Sequence, residues 1–191
     1  MKRILMNQII FMLRDYTEKL YLNTDYDLYS SHSIRENVVL YNPVKGIEHT
    51  NEIINRCYGS NFTFVKIENL TRTEIRDLAL QSKVYIDFGH HPGKDRIPRE
   101  MAACGCIVIT GNEGTAQSDI DVPIGPRKFK MVDGKYNYES IKSQIESDMN
   151  NYMAGFLDEH QIKYRMDIKS EKSIVYSDVK NMVNVIDSDI L

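Results

Sequence analysis

Between Gly89 and Gly111 the sequence reads GHHPGKDRIPREMAACGCIVITG. Two histidines (His90, His91), three cations (Lys94, Arg96, Arg99) and a glutamate (Glu100) stand directly ahead of a small-residue segment and an apolar run. Cations beside a helix N-terminus suit an anion, because the free N–H groups and the positive end of the helix dipole add to the side-chain charge. A diphosphate would use both. Pro98 fits a first helical turn, where its missing N–H costs nothing, so a short helix is expected from about Ile97 to Ala103 with Glu100 in its first turn. The plainer alternative is a solvated loop in which Asp95 and Glu100 neutralise two of the cations. A further cation, Lys45, precedes Gly46 in YNPVKG, where another helix is expected to open.

Other constellations carry less. His90 and His91 with Cys104 and Cys106 invite a zinc reading, but adjacent histidines point in different directions and the Cys-Gly-Cys spacing falls at an expected helix-to-strand junction. Three Asp-x-Asp triplets, beginning at Asp25, Asp119 and Asp187, look like chance in an acidic chain, and no metal is expected. The basic PRKFK stretch, Pro126 to Lys130, is too short for a nucleic-acid footprint without a broader positive face. No serine or cysteine occupies a recognisable strand-to-helix elbow.

These residues need a frame, and the hydropathy pattern supplies one. NVVLYN, FTFVKIE, VYIDFG and CIVIT read as strands. Between them, Gly46 to Cys57, Thr71 to Ser82 and Ile97 to Ala103 read as helices, the second opened by Thr71 and Glu74 at capping-box spacing. Strands alternating with helices across short connections indicate right-handed βαβ units: an α/β fold with a single Rossmann-like, doubly wound parallel sheet. Gly111 to Lys135 reads as loop-rich. Two C-terminal helices are expected, Tyr138 to Leu157 and about Glu159 to Ile186. At the other end, Leu5, Ile9, Met12, Leu13, Tyr16 and Leu20 mark an amphipathic helix whose wide apolar face suits packing on the sheet, a homodimer or a partner chain. Residues 1–36 are accordingly read as a helix and crossover segment, and 37–191 as the Rossmann-like domain with its C-terminal helices.

The bulk numbers fit one such domain: 191 residues, 42% of them hydrophobic. With 24 Lys and Arg against 27 Asp and Glu, the net charge of −3 provides no general basic field, so any anion site must be local and nucleic acid is not the expected partner. Three cysteines, two of them in an apolar stretch, suggest reduced thiols and a cytoplasmic location, with peripheral attachment to the inner face of the membrane as the alternative. No run approaches the length of an integral membrane segment.

Taken together, VVLYNPVKG, VKIENLTRTEIRDLALQSKVYIDFG and RIPREMAACGCIVIT resemble the C-terminal, donor-binding half of GT-B-fold glycosyltransferases, near the retaining group related to sucrose and glycogen synthases. The likeness spans about Glu36 to Gly125. It implies a nucleotide-diphosphate sugar as ligand, hexosyl transfer as the reaction and cell-surface polysaccharide synthesis as the setting. By that resemblance Glu100 would hold the ribose hydroxyls and Lys45 the diphosphate. Ile67, Glu68 and Asn69 would line the nucleobase pocket, and Gly114 and Thr115 would approach the phosphates. Pro92 and the pair Tyr41 and Asn42 stand where the family carries a sugar-binding glutamate and a phosphate-binding arginine, so Lys94 and Arg96 are assigned to the diphosphate and His90 or His91 to the sugar. One Rossmann-like unit lacks an acceptor domain. A partner chain would have to supply it, or else the chain is a catalytically inert nucleotide-binding or interaction module.

Overall fold

The structure, a computed structural model, describes residues 34–153 and 158–188. The amphipathic segment expected over the first twenty residues lies outside them. Five strands, β1 (Glu36–Tyr41), β2 (Thr63–Lys66), β3 (Ser82–Asp87), β4 (Ile107–Gly111) and β5 (Lys128–Phe129), form one all-parallel sheet in the order β2-β1-β3-β4-β5. Helices α1 (Ile47–Arg56), α2 (Arg72–Gln81), α3 (Arg96–Ala103), α4 (Tyr138–Asn150) and α5 (Glu159–Ser188) cover it. The chain thus has the Rossmann-like α/β architecture.

The apolar runs of β1, β3 and β4 are continuous because both faces of a parallel sheet are buried. Alternate residues serve opposite layers. Val38, Leu40, Tyr85 and Val108 pack with Ile75 and Ala79 of α2, Met101 and Ala102 of α3, and Tyr164 and Ile168 of α5. Val39, Val84, Ile86, Ile107 and Ile109 pack with Ile53 of α1 and Ile141, Ile145 and Met149 of α4. Thr71 and Glu74 form the expected capping box: the Thr71 side chain accepts from the Glu74 amide, and the Glu74 carboxylate accepts from the Thr71 amide. Among the described residues no helix is long and apolar enough to cross a membrane.

Two buried polar side chains fasten this frame. Arg35, just ahead of β1, donates to the carbonyls of Ala79 (2.8 Å), Ser82 (2.7 Å) and Cys104 (2.5 Å), tying the amino-terminal edge of the sheet to the ends of α2 and α3. Gln161 does comparable work on β4. The fifth strand, unforeseen within the loop-rich stretch, is two residues long and pairs only with Thr110 and Gly111. Alongside Val108 the fully buried Gln161 side chain takes over, accepting from the Val108 amide (3.1 Å) and donating to its carbonyl (3.0 Å).

Replacing Gln161 with leucine strands both peptide groups in an apolar layer, at about 1–3 kcal/mol each. Urea unfolding of Gln161→Leu is therefore expected to show a loss of about 2–6 kcal/mol with an unchanged m-value. A loss under about 0.5 kcal/mol would show that α5 does not close this edge.

Candidate functional site

In an open sheet of this strand order the chain reverses direction of growth between β1 and β3, and ligands of such folds bind in the crevice beyond the carboxyl ends of those strands. Three loops meet there. The loop after β1 presents Lys45 and Gly46, the loop after β3 presents His90 to Asp95, and the loop after β4 presents Gly114 and Thr115. Gly46 (φ 59°) is left-handed, and a Cβ on it would collide with the Phe88 carbonyl. Gly114 (φ 63°) is left-handed too, and its Cβ would strike the His91 carbonyl. Thr115 completes the join, its amide donating to His91 O (2.8 Å) and its hydroxyl to Gly93 O (2.6 Å).

The helix after this loop begins at Arg96, with Asp95 at the N-cap position. Aspartate is well suited to cap, yet its side chain bonds no amide of α3. Asp95 instead accepts from Lys45 (Nζ to Oδ2, 2.7 Å) and lies 3.8 Å from His91 Nδ1. The first turn of α3 therefore keeps its amide donors uncapped by that carboxylate. Each neighbouring cation also meets an acid. Lys94 reaches Glu171 of α5 at 3.1 Å and Asp121 at 3.6 Å, Arg99 pairs with the same Glu171, and Arg96 lies 3.3 Å from Glu100. Lys94 and Arg99 line a cleft of about 480 Å³ against α5 together with Asp121, Tyr164 and Glu171; Lys45 is not among its lining residues. The neutralisation of Arg96 by Glu100 follows the sequence, whereas Asp95 serves Lys45 from a different loop.

Glu100 is almost wholly buried, 3% exposed, and its Oε2 has no hydrogen-bond partner among the described residues. Burial raises its carboxyl above the ordinary range against the opposing pull of Arg96, Arg72 and Arg99. A carboxylate with one free oxygen can accept from two vicinal hydroxyls. The residues assigned to a nucleobase divide: Ile67 is buried in the core layer, while Glu68 is exposed and paired with Lys66 (2.5 Å), and Asn69 takes a left-handed turn at φ 55°. His90 is exposed and His91 is not. Cys104 and Cys106 are buried free thiols that precede β4, whereas His91 bridges Gly114 beyond its far end. A strand of that length puts roughly 16 Å between them, too far for a shared zinc ion. Burial also pushes the Cys57 and Cys106 thiols up to about 11, which leaves them unreactive as thiolates at neutral pH.

No protein-family model matches the chain, and no curated protein matches it. Its fold is similar to the crystal structure of AviGT4, a glycosyltransferase involved in avilamycin A biosynthesis, at 11% identity and a TM-score of 0.39. The match covers 80% of this chain and 56% of that one. The chain thus spans little more than half the length of AviGT4.

Sequence reasoning did not single out Asp87. It ends β3, 2% exposed, accepting from Tyr85 Oη (3.0 Å) and the Gly89 amide (3.0 Å). An aspartate at the end of an otherwise apolar parallel strand is the signal that could have found it. The raised carboxyl of Glu100 sets a sign for pH dependence. Its folded form holds a proton more tightly than the unfolded chain, so its contribution to stability is greatest below the ordinary carboxylate pKa and is lost as pH rises through the raised value. Glu100→Gln, neutral throughout, is expected to melt at a higher temperature than wild type at about pH 8, with the gain fading towards about pH 4. Calorimetric scans showing a pH-independent difference would contradict this.

Proposed function

We propose that this chain binds a nucleotide-diphosphate sugar and serves as the donor-binding half of a glycosyltransferase, acting in cell-surface polysaccharide synthesis with an acceptor domain contributed by a partner chain. The observation that carries the reading is Glu100: a buried carboxylate, one oxygen unpartnered, which stands in the second turn of α3 and not the first as expected, because the helix opens at Arg96. The ribose hydroxyls are donors that would satisfy that oxygen. The sequence resemblance to GT-B donor domains assigns it the same task.

In this reading the diphosphate lies against the uncapped first turn of α3, with Lys45, Lys94 and Arg96 supplying positive charge and Gly114 and Thr115 closing the phosphate side. Ile67, Glu68 and Asn69 flank the base, and the exposed His90 offers the sugar a polar contact. His91, being buried, is left without a direct part. Because Lys45 and Lys94 are held by Asp95 and Glu171, the diphosphate has to exchange with carboxylates, which ties its affinity to their release. During transfer the same groups would stabilise the departing nucleoside diphosphate as negative charge develops on it, a purely electrostatic contribution. The chemistry fits a cytoplasmic supply of activated sugar.

The matched acid for each cation, with Pro92 in place of the sugar-binding glutamate, favours a second reading: a catalytically inert nucleotide-binding or interaction module.

A thermal-shift and calorimetry panel of uridine, guanosine and adenosine diphosphates, with and without attached sugars, separates the two. A ligand at 100 times its Kd adds about 2.7 kcal/mol of stability. That gain is expected for one sugar nucleotide and is expected to disappear in Glu100→Ala and Lys45→Ala. Diphosphates that bind equally well with and without a sugar would favour the inert module, and no shift with any member of the panel would sink nucleotide binding in either reading.

A further inference from the structure

His91 is 1% exposed, and neither ring nitrogen has a hydrogen-bond partner among the described residues. Its nitrogens face two carboxylates instead, Nε2 lying 3.6 Å from Asp87 Oδ1 and Nδ1 lying 3.8 Å from Asp95 Oδ2. These gaps are too long for hydrogen bonds. Gaps of this size suit the ligands of a metal ion, since two ligand atoms each about 2.1 Å from a tetrahedral ion stand about 3.4 Å apart; one ion sits on one ring nitrogen only, and the carboxylate facing the other nitrogen has to swing to reach it. One ligand atom from each of Asp87, His91 and Asp95 can be chosen so that all three lie within 4.8 Å of one another.

From this geometry we infer that Asp87, His91 and Asp95 hold one divalent transition-metal ion, with one coordination position left for water or a ligand oxygen. The inference is independent of the donor-binding reading, which needs no metal.

Charge balance points the same way. Asp87 and Asp95 bring two carboxylates to one imidazole, and the one permanently charged side chain bonded to either of them among the described residues is the ammonium of Lys45, on Asp95. Asp87 is held by neutral donors, the Tyr85 hydroxyl and the Gly89 amide, which orient a carboxylate without neutralising it. Buried charge of this kind needs an ion partner or a metal. The ring is fixed from behind, since the His91 backbone is bonded to Glu113 and Thr115. An imidazole with two carboxylates suits zinc or manganese better than magnesium, which keeps several waters and is not suited to so enclosed a pocket. Lys45 competes for an Asp95 oxygen, so the ion and that ammonium oppose each other.

The untagged full chain, stripped with a chelator, is titrated with Zn²⁺ and followed by calorimetry, and with Co²⁺ followed by absorption. One equivalent is expected to bind, with a cobalt spectrum lacking a thiolate charge-transfer band. His91→Ala is expected to weaken binding by more than about a hundredfold and the neighbouring His90→Ala to leave it unchanged. Should His91→Ala fail to fold, Asp95→Asn, on a partly exposed side chain, decides the matter by weakening binding at least about tenfold. Lys45→Met is expected to tighten binding. The inference is overturned by absence of stoichiometric binding, by a thiolate band, by affinity that survives both His91→Ala and Asp95→Asn, or by weaker binding in Lys45→Met.

Discussion

Loops that press backbone against backbone at the position of a side chain need a residue with no Cβ there. At the carboxyl edge of this sheet that condition is met at Gly46 against Phe88 and at Gly114 against His91, and each residue adopts a left-handed conformation that other residues reach only at a cost. Through these contacts the loops after β1, β3 and β4 form one layer, and the positions of Lys45, His91, Asp95 and Thr115 follow from it. Moving the loop after β3 outward would break the Lys45–Asp95 pair and the Thr115 hydrogen bonds together.

Within that layer, electrostatics decide the character of the edge. A cluster of cations beside a helix N-terminus suggests an open anion hole, yet here the carboxylates of Asp95, Glu100, Asp121 and Glu171 are interleaved with the cations. Most of these pairs are at least partly solvated and individually weak, so their free-energy differences are small and exchangeable. Glu100 and Asp87 are different, because burial leaves them dependent on whatever donor or cation the pocket provides.

Much of the frame could be read from the chain. The unbroken apolar runs Val38–Leu40 and Ile107–Ile109 identify strands buried on two faces, and Thr71 with Glu74 marks a helix start that the hydrogen bonds reproduce. The convergence of the loops bearing Lys45 and Lys94 at one edge also follows from the alternation of strands and helices. What stayed hidden depends on long-range partners. Lys94 and Glu171 are 77 residues apart, and no local pattern announces their contact. The second helix of the C-terminal pair was legible, but not that Gln161 on it would bond a strand. The two-residue β5 carries too little periodicity to register. Asp95 reads as a partner for the cations beside it in the chain and, in three dimensions, is taken by a lysine fifty positions earlier.

The Gln161 amide beside Val108 has a wider meaning for the exposed border of the sheet. A parallel sheet whose last strand is two residues long leaves most of its border without a neighbour, and such borders recruit extended segments from other chains. Here the border is closed by side chains of one helix, Gln161 on Val108 and Arg165 on the Cys106 carbonyl, so the seal lasts only while that helix remains seated. Should α5 lift away, Val108 would offer a bare amide and carbonyl to any passing polypeptide, turning loss of a C-terminal element into a route to self-association.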